Sequence, residues 1–176
     1  MDRLWEEFWW NSITGPNVVV NNVANALLAN KMVVLKVPSD LPWRHSMRSA
    51  IHTAFKGKSD YHDIVIEPID VCDDNPNALD PGKFILERYA SSAIQKGYRE
   101  KSRNTIQEYI SAKNVIKNRI IWIKGLSAED SEKWVRFCKG FDNRTAEEGL
   151  FVVEIHDDVV VSESTNMRVI NFSGCV

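Results

Sequence analysis

What this chain has little of narrows it first. Its three cysteines, Cys72, Cys138 and Cys175, are odd in number, far apart and in no C-x-x-C pair. That speaks against a disulfide framework or a zinc ribbon and for reduced thiols in a cytoplasmic protein. No apolar run approaches the ~20 residues of a membrane helix, so no membrane association is expected. The opening residues, Met1-Asp2-Arg3-Leu4-Trp5-Glu6-Glu7, lack the basic and apolar stretches of a secretory signal. There is no internal repeat, low-complexity tract or linker, and 176 residues suit one domain, 1–176, with N-terminal helices over 1–30 packing on a core. A net charge of −2 gives no general sign of nucleic acid or membrane as a partner. Histidines paired at i, i+4 and a G-x-S-x-G elbow are both missing, which removes the residues of zincin-type and nucleophile-elbow chemistry.

What is present alternates. Five strand candidates, 32–37, 63–69, 119–124, 150–155 and 167–172, are separated for the most part by helical patterns at 44–56, 82–97, 104–117 and 128–141. A further helix enters at Gly15-Pro16 and runs to about Asn30, with Val19, Val20, Val23, Ala26 and Leu27 as its apolar stripe. Ser127 before Ala128-Glu129-Asp130 is a fitting N-cap with acids in the first turn. The middle three strand candidates are nearly continuous apolar runs, as expected of parallel strands covered on both faces. The expectation is an α/β fold, a three-layer sandwich around a mainly parallel five-stranded sheet.

The loop after the first strand carries the most information. Lys31–Val37 leads into Pro38-Ser39-Asp40-Leu41-Pro42-Trp43-Arg44-His45, and a helical stretch follows. Strand, eight-residue loop and helix is the layout of G-x-x-x-x-G-K-[ST]. Pro38 falls at the first glycine, Trp43 at the second, Arg44 at the lysine and His45 at the Ser/Thr. A phosphate cradle needs consecutive backbone N–H groups and glycines that admit the ligand. Pro38 and Pro42 lack an N–H, and Trp43 fills the space a glycine leaves open. Arg44 suits an anion by its guanidinium, although a surface arginine at a helix start is the plainer reading. Gly57-Lys58-Ser59 is a decoy, since it follows a helix and precedes a strand.

In element order and strand character residues 14–172 resemble a P-loop NTPase core, nearest to the AAA+-like ATPases. In that family a helix precedes the first strand and five strands form the sheet. Ile120-Ile121-Trp122-Ile123 resembles the Walker B strand, and Phe151-Val152-Val153-Glu154 resembles the strand that presents the sensor residue. The Walker B strand should end in an acid that holds Mg²⁺ through water; this one ends Lys124-Gly125. No helical lid is expected after the fifth strand. The resemblance therefore implies a degenerate, non-catalytic member with no catalytic residues and no cofactor, Ser39, Trp43, Arg44 and His45 marking the altered phosphate-loop position. Such members serve as partners or assembly modules for active ATPases. The alternatives are a divergent ATPase that binds ATP through Arg44, and a nucleic-acid-binding regulator.

Two surface patterns bear on partners. Residues 60–80 hold seven acids and no Lys or Arg, whereas 96–119 hold seven Lys/Arg against two Glu. Such bipolarity fits a complementary protein or a second copy, and the basic stretch is the one suited to nucleic acid within a complex. Trp5, Phe8, Trp9 and Trp10 crowd one short helix over 2–11, a candidate protein interface or a lid over a sheet edge. His156-Asp157-Asp158 and Asp70, Cys72, Asp73 and Asp74 follow strands on one edge, where α/β proteins place ligands. They are read as solvated loop acids, with no metal expected.

Overall fold

The computed structural model describes residues 14–38, 44–61, 63–71, 80–99, 106, 109–110, 114–141 and 149–172. Five strands form one sheet: β1 (Met32–Val37), β2 (Val65–Asp70), β3 (Arg119–Lys124), β4 (Leu150–His156) and β5 (Met167–Asn171). Every pairing is parallel, in the order β2-β3-β4-β1-β5. The helices are α1 (Thr14–Ala29), α2 (Arg44–Lys58), α3 (Pro81–Tyr89), α4 (Ser92–Arg99) and α5 (Ala128–Lys139).

The strands alternate their side chains between two apolar layers. Val33, Leu35, Ile120, Trp122 and Val152 pack under α1 and α2, which contribute Val23, Leu27, Met47, Ile51 and Phe55. Val34, Ile121, Ile123, Phe151 and Val153 face α3 and α5, which bring Phe84, Ile85, Trp134 and Phe137. The helix after β1 thus covers one face while the helices after β2 and β3 cover the other. This is the arrangement right-handed crossovers require when β1 connects leftward and β2 and β3 connect rightward.

The centre of the sheet is β3, β4 and β1, not the middle three strands of the sequence. Val65–Asp70 is an edge strand with Val65, Pro68 and Asp70 exposed. Pro68 explains why: it has no N–H to give a second neighbour, so its strand can pair on one side only. Its outward carbonyl accepts from Arg88 Nη2 at 3.4 Å.

Local signals set the helix ends. Ser127 Oγ accepts the Asp130 N–H at 3.1 Å, capping α5. Asp80 Oδ1 accepts the Lys83 N–H at 3.2 Å, with Pro81 opening α3. The helix expected over 82–97 is two. Ala90 turns extended (φ −94°, ψ 145°) with its N–H still donating to the Leu86 carbonyl, and the Gln95 amide donates to the Leu86 and Ala90 carbonyls at 3.3 and 3.0 Å. Of the helix expected over 104–117, the described residues show helical backbone at Ile106, Tyr109 and Ile110. The segment ends in a turn whose Asn114 and Asn118 adopt φ of 53° and 56°, a conformation that asparagine tolerates. Gly149 enters β4 at φ 115°, its Cα so close to the Ile116 carbonyl that a Cβ would collide with it. Cys138 is a buried free thiol on α5. Among the described residues no helix is long and apolar enough to cross a membrane.

Candidate functional site

The strand order itself locates the site. The chain leaving β1 crosses toward β2 over the α1/α2 face, whereas the chain leaving β4 crosses β1 to reach β5. Neighbouring strands whose connections depart in opposite directions leave a crevice at their carboxyl ends. The last paired residues there are Val37 and His156. Pro38 follows Val37 into the proline-bearing loop, and Asp157 and Asp158 follow His156.

His156 Nδ1 lies 3.2 Å from Asp157 Oδ1 and 3.2 Å from Asp158 Oδ2. The Asp158 backbone N–H donates to the same Nδ1 at 3.2 Å. The three donor atoms lie within 4.8 Å of one another, the reach of one cation. Yet the imidazole lone pair a metal would take is committed to the amide, and the Asp158 side chain is 88% exposed.

On the strand next to β4, β3 ends in Lys124. Its Nζ stands 3.6 Å from Asp70 Oδ2 at the end of β2, and Gly125 at φ 73° turns the chain away. The end of β3 therefore presents an ammonium held by a carboxylate.

One layer deeper, Trp122 Nε1 donates to Glu154 Oε2 at 2.7 Å. Glu154 is 3% exposed, and Arg48 on α2 is 9% exposed; with Ser131 they are the buried polar residues among those described. Both charged residues belong to the α1/α2 side of the sheet. Buried charge is costly unless it is paired and hydrogen-bonded, as Glu154 is to Trp122. The sequence signal for Glu154 was an acid inside the apolar run Leu150–Ile155; Arg48 gave none, because an arginine in an amphipathic helix ordinarily faces water.

Of the expected site residues, Arg44 and His45 stand in the first turn of α2. Ser39 and Trp43 lie outside the described residues, as do Trp5, Phe8, Trp9 and Trp10 and the helix expected over 2–11. Cys72, Asp73 and Asp74 lie outside them too, and so does much of the basic stretch 96–119. Its last member, Arg119, has other duties: Nη1 meets Glu67 Oε1 at 3.0 Å, and the guanidinium lies 4.8 Å from the Tyr89 ring centroid. Burial pushes the Tyr89 phenol above its ordinary value, against the lowering effect of the hydrogen bond that Arg88 Nε donates to it at 3.2 Å. No protein-family model, curated protein or solved structure matches the chain.

Proposed function

We propose that this protein is a non-catalytic, P-loop NTPase-like module that works through protein–protein contact, as a partner within an ATPase-containing assembly. The observation that carries the proposal is Lys124, ion-paired to Asp70 where the resemblance calls for a Mg²⁺-binding acid. The sheet order supports the family likeness. With β4 between β1 and β3, the end of β1, the sensor-like strand end and the Walker B-like strand end stand side by side, about 5 Å per strand apart. A nucleotide site needs that convergence. The loop chemistry supports the loss of function: Pro38 and Pro42 remove two amide donors from the turn that would wrap a triphosphate.

Isothermal titration of the full chain with Mg²⁺–ATP tests the proposal. The expected result is no saturable heat at millimolar nucleotide and no phosphate release; micromolar affinity with turnover would refute it and favour the Arg44-dependent ATPase.

A further inference from the structure

Each edge strand has main-chain groups that its single neighbour does not use, and the chain meets most of them itself. On β2 the Val65 and Val71 N–H groups donate inward to Asn118 O and Lys124 O, at 3.0 Å each. By alternation Ile66, Pro68 and Asp70 direct their backbone groups outward. Pro68 brings no N–H, and Arg88 Nη2 donates to its carbonyl at 3.4 Å while Arg88 Nε donates to the Tyr89 hydroxyl at 3.2 Å. Just before the strand, His52 Nε2 donates to the Ile64 carbonyl at 3.2 Å. On β5 the Phe172 N–H donates inward to Lys36 O at 2.9 Å, which turns Met167, Val169 and Asn171 outward. Met167 exchanges N–H and C=O with Ser164, at 3.2 Å each way. Glu163 Oε1 accepts the Val169 N–H at 3.2 Å, and Glu163 Oε2 faces Arg168 Nη1 at 3.6 Å. Asn171 is engaged as well.

We propose that these contacts guard the sheet: Pro68 with Arg88 on β2, and Glu163 with Ser164 on β5, keep it from adding a strand of a second copy. The two guards are chemical opposites. Where proline has removed the donor, a carbonyl remains, and a cation covers it. Where an N–H is left, a carboxylate covers it. Bonds with one charged partner are stronger than neutral ones. An incoming strand would have to displace Arg88, or Glu163 with Arg168, and strip those charges of water. Among the described residues of β2, Ile66 keeps an outward N–H and C=O that meet no such guard. One residue offers one pair, and a ladder needs a pair at every second residue. Left open, edges carrying Val65, Ile66, Val169 and Ile170 are templates for pairing with another chain. Contact with another protein is thereby left to faces built of side chains.

The inference goes beyond the interaction-module reading, and Mg²⁺–ATP turnover would defeat that reading while leaving the edges as they are. Sedimentation velocity of the full chain over a series of concentrations tests it, with Pro68→Val/Arg88→Gln opening β2 and Glu163→Ala opening β5. Each opened variant is expected to sediment faster as concentration rises, more steeply than the parent protein. Glu163→Gln, whose amide oxygen still accepts the Val169 N–H, should follow the parent. Hydrogen exchange in dilute solution gives a second readout. There the Val169 amide should exchange about fivefold faster in Glu163→Ala than in the parent, the loss of one net hydrogen bond. Pro68, Arg88 and Glu163 are exposed, and thermal melts verify that each variant folds. The proposal is overturned if the opened variants sediment as the parent does, or if Glu163→Gln associates as readily as Glu163→Ala. It is overturned equally if the Val169 amide keeps the parent's exchange rate once the carboxylate is gone.

Discussion

The two faces of the sheet are built to different specifications. Under α3 and α5 a run of rings spans the layer. Phe84 meets Trp134 edge-on at 5.6 Å, Trp134 meets Phe137 at 6.5 Å, Phe137 meets Phe141 at 5.3 Å and Phe141 meets Phe151 at 5.3 Å. Each such pair adds ~0.5–1.5 kcal/mol to what its buried area gives. The opposite layer is mostly aliphatic, but it encloses Glu154, its indole donor Trp122 and the guanidinium of Arg48. The first layer is a slab of packing; the second gives up some apolar continuity to hold charge beneath the strand ends. The run of rings lies on one side of the sheet and the buried charges lie on the other, under α1 and α2.

Breaking the aromatic run should cost most. Trp134 is fully buried at its middle, and Trp134→Ala is expected to lose about 3–5 kcal/mol of stability, read as a drop in the urea midpoint. On the other face Trp122→Phe keeps most of the volume and removes the donor to Glu154. The expected loss is about 1–3 kcal/mol, and the double variant Trp122→Phe/Glu154→Leu should recover part of it, because the buried carboxylate leaves with its donor. If the double variant instead lost more than the sum of its parts, the layer would be a plain hydrophobic one and the contrast between faces would fail.

The smallest effect concerns the rim of the aromatic side. The phenol of Tyr89 is raised above its ordinary 10.0 because its burial penalises the anion. The folded state therefore favours the neutral phenol more than the unfolded state does. That contribution is complete below about pH 10 and is lost as pH climbs through the raised value. Tyr89→Phe, which cannot ionise, should show a shallower alkaline fall in thermal midpoint than the parent protein. Identical alkaline profiles would mean that the phenol is not held neutral by its surroundings.

Strand and helix type were legible wherever composition and local chemistry agreed. Val-, Ile- and Leu-rich runs marked β1, β3 and β4 to within a residue, and Ser127 announced the start of α5, because N-capping is decided by residues adjacent in sequence. The order of strands was not legible. Apolar richness placed 63–69 among the covered strands, while Pro68 within the same run was the better guide to its place at the edge. The break at Ala90 escaped notice because the side chain that stabilises it, Gln95, looks like any helix surface residue until its amide reaches back. The His156 turn and the Lys124 terminus could be seen as residues, but their meaning needed register. Only pairing reveals that Val37 and His156 finish side by side and that Asp70 reaches Lys124.

The central position of β1 has a consequence for how the chain is made. Its two neighbours, β4 and β5, are the last of the five strands in chain order, so both of its edges wait until the other strands have been made. Until β4 and β5 arrive, an apolar strand sits bare at the heart of the nascent protein, and the helices on either side of it in sequence have only one another to cover. Closure of the sheet should therefore come late and nearly at once, when the final two strands slide in on either flank of the first.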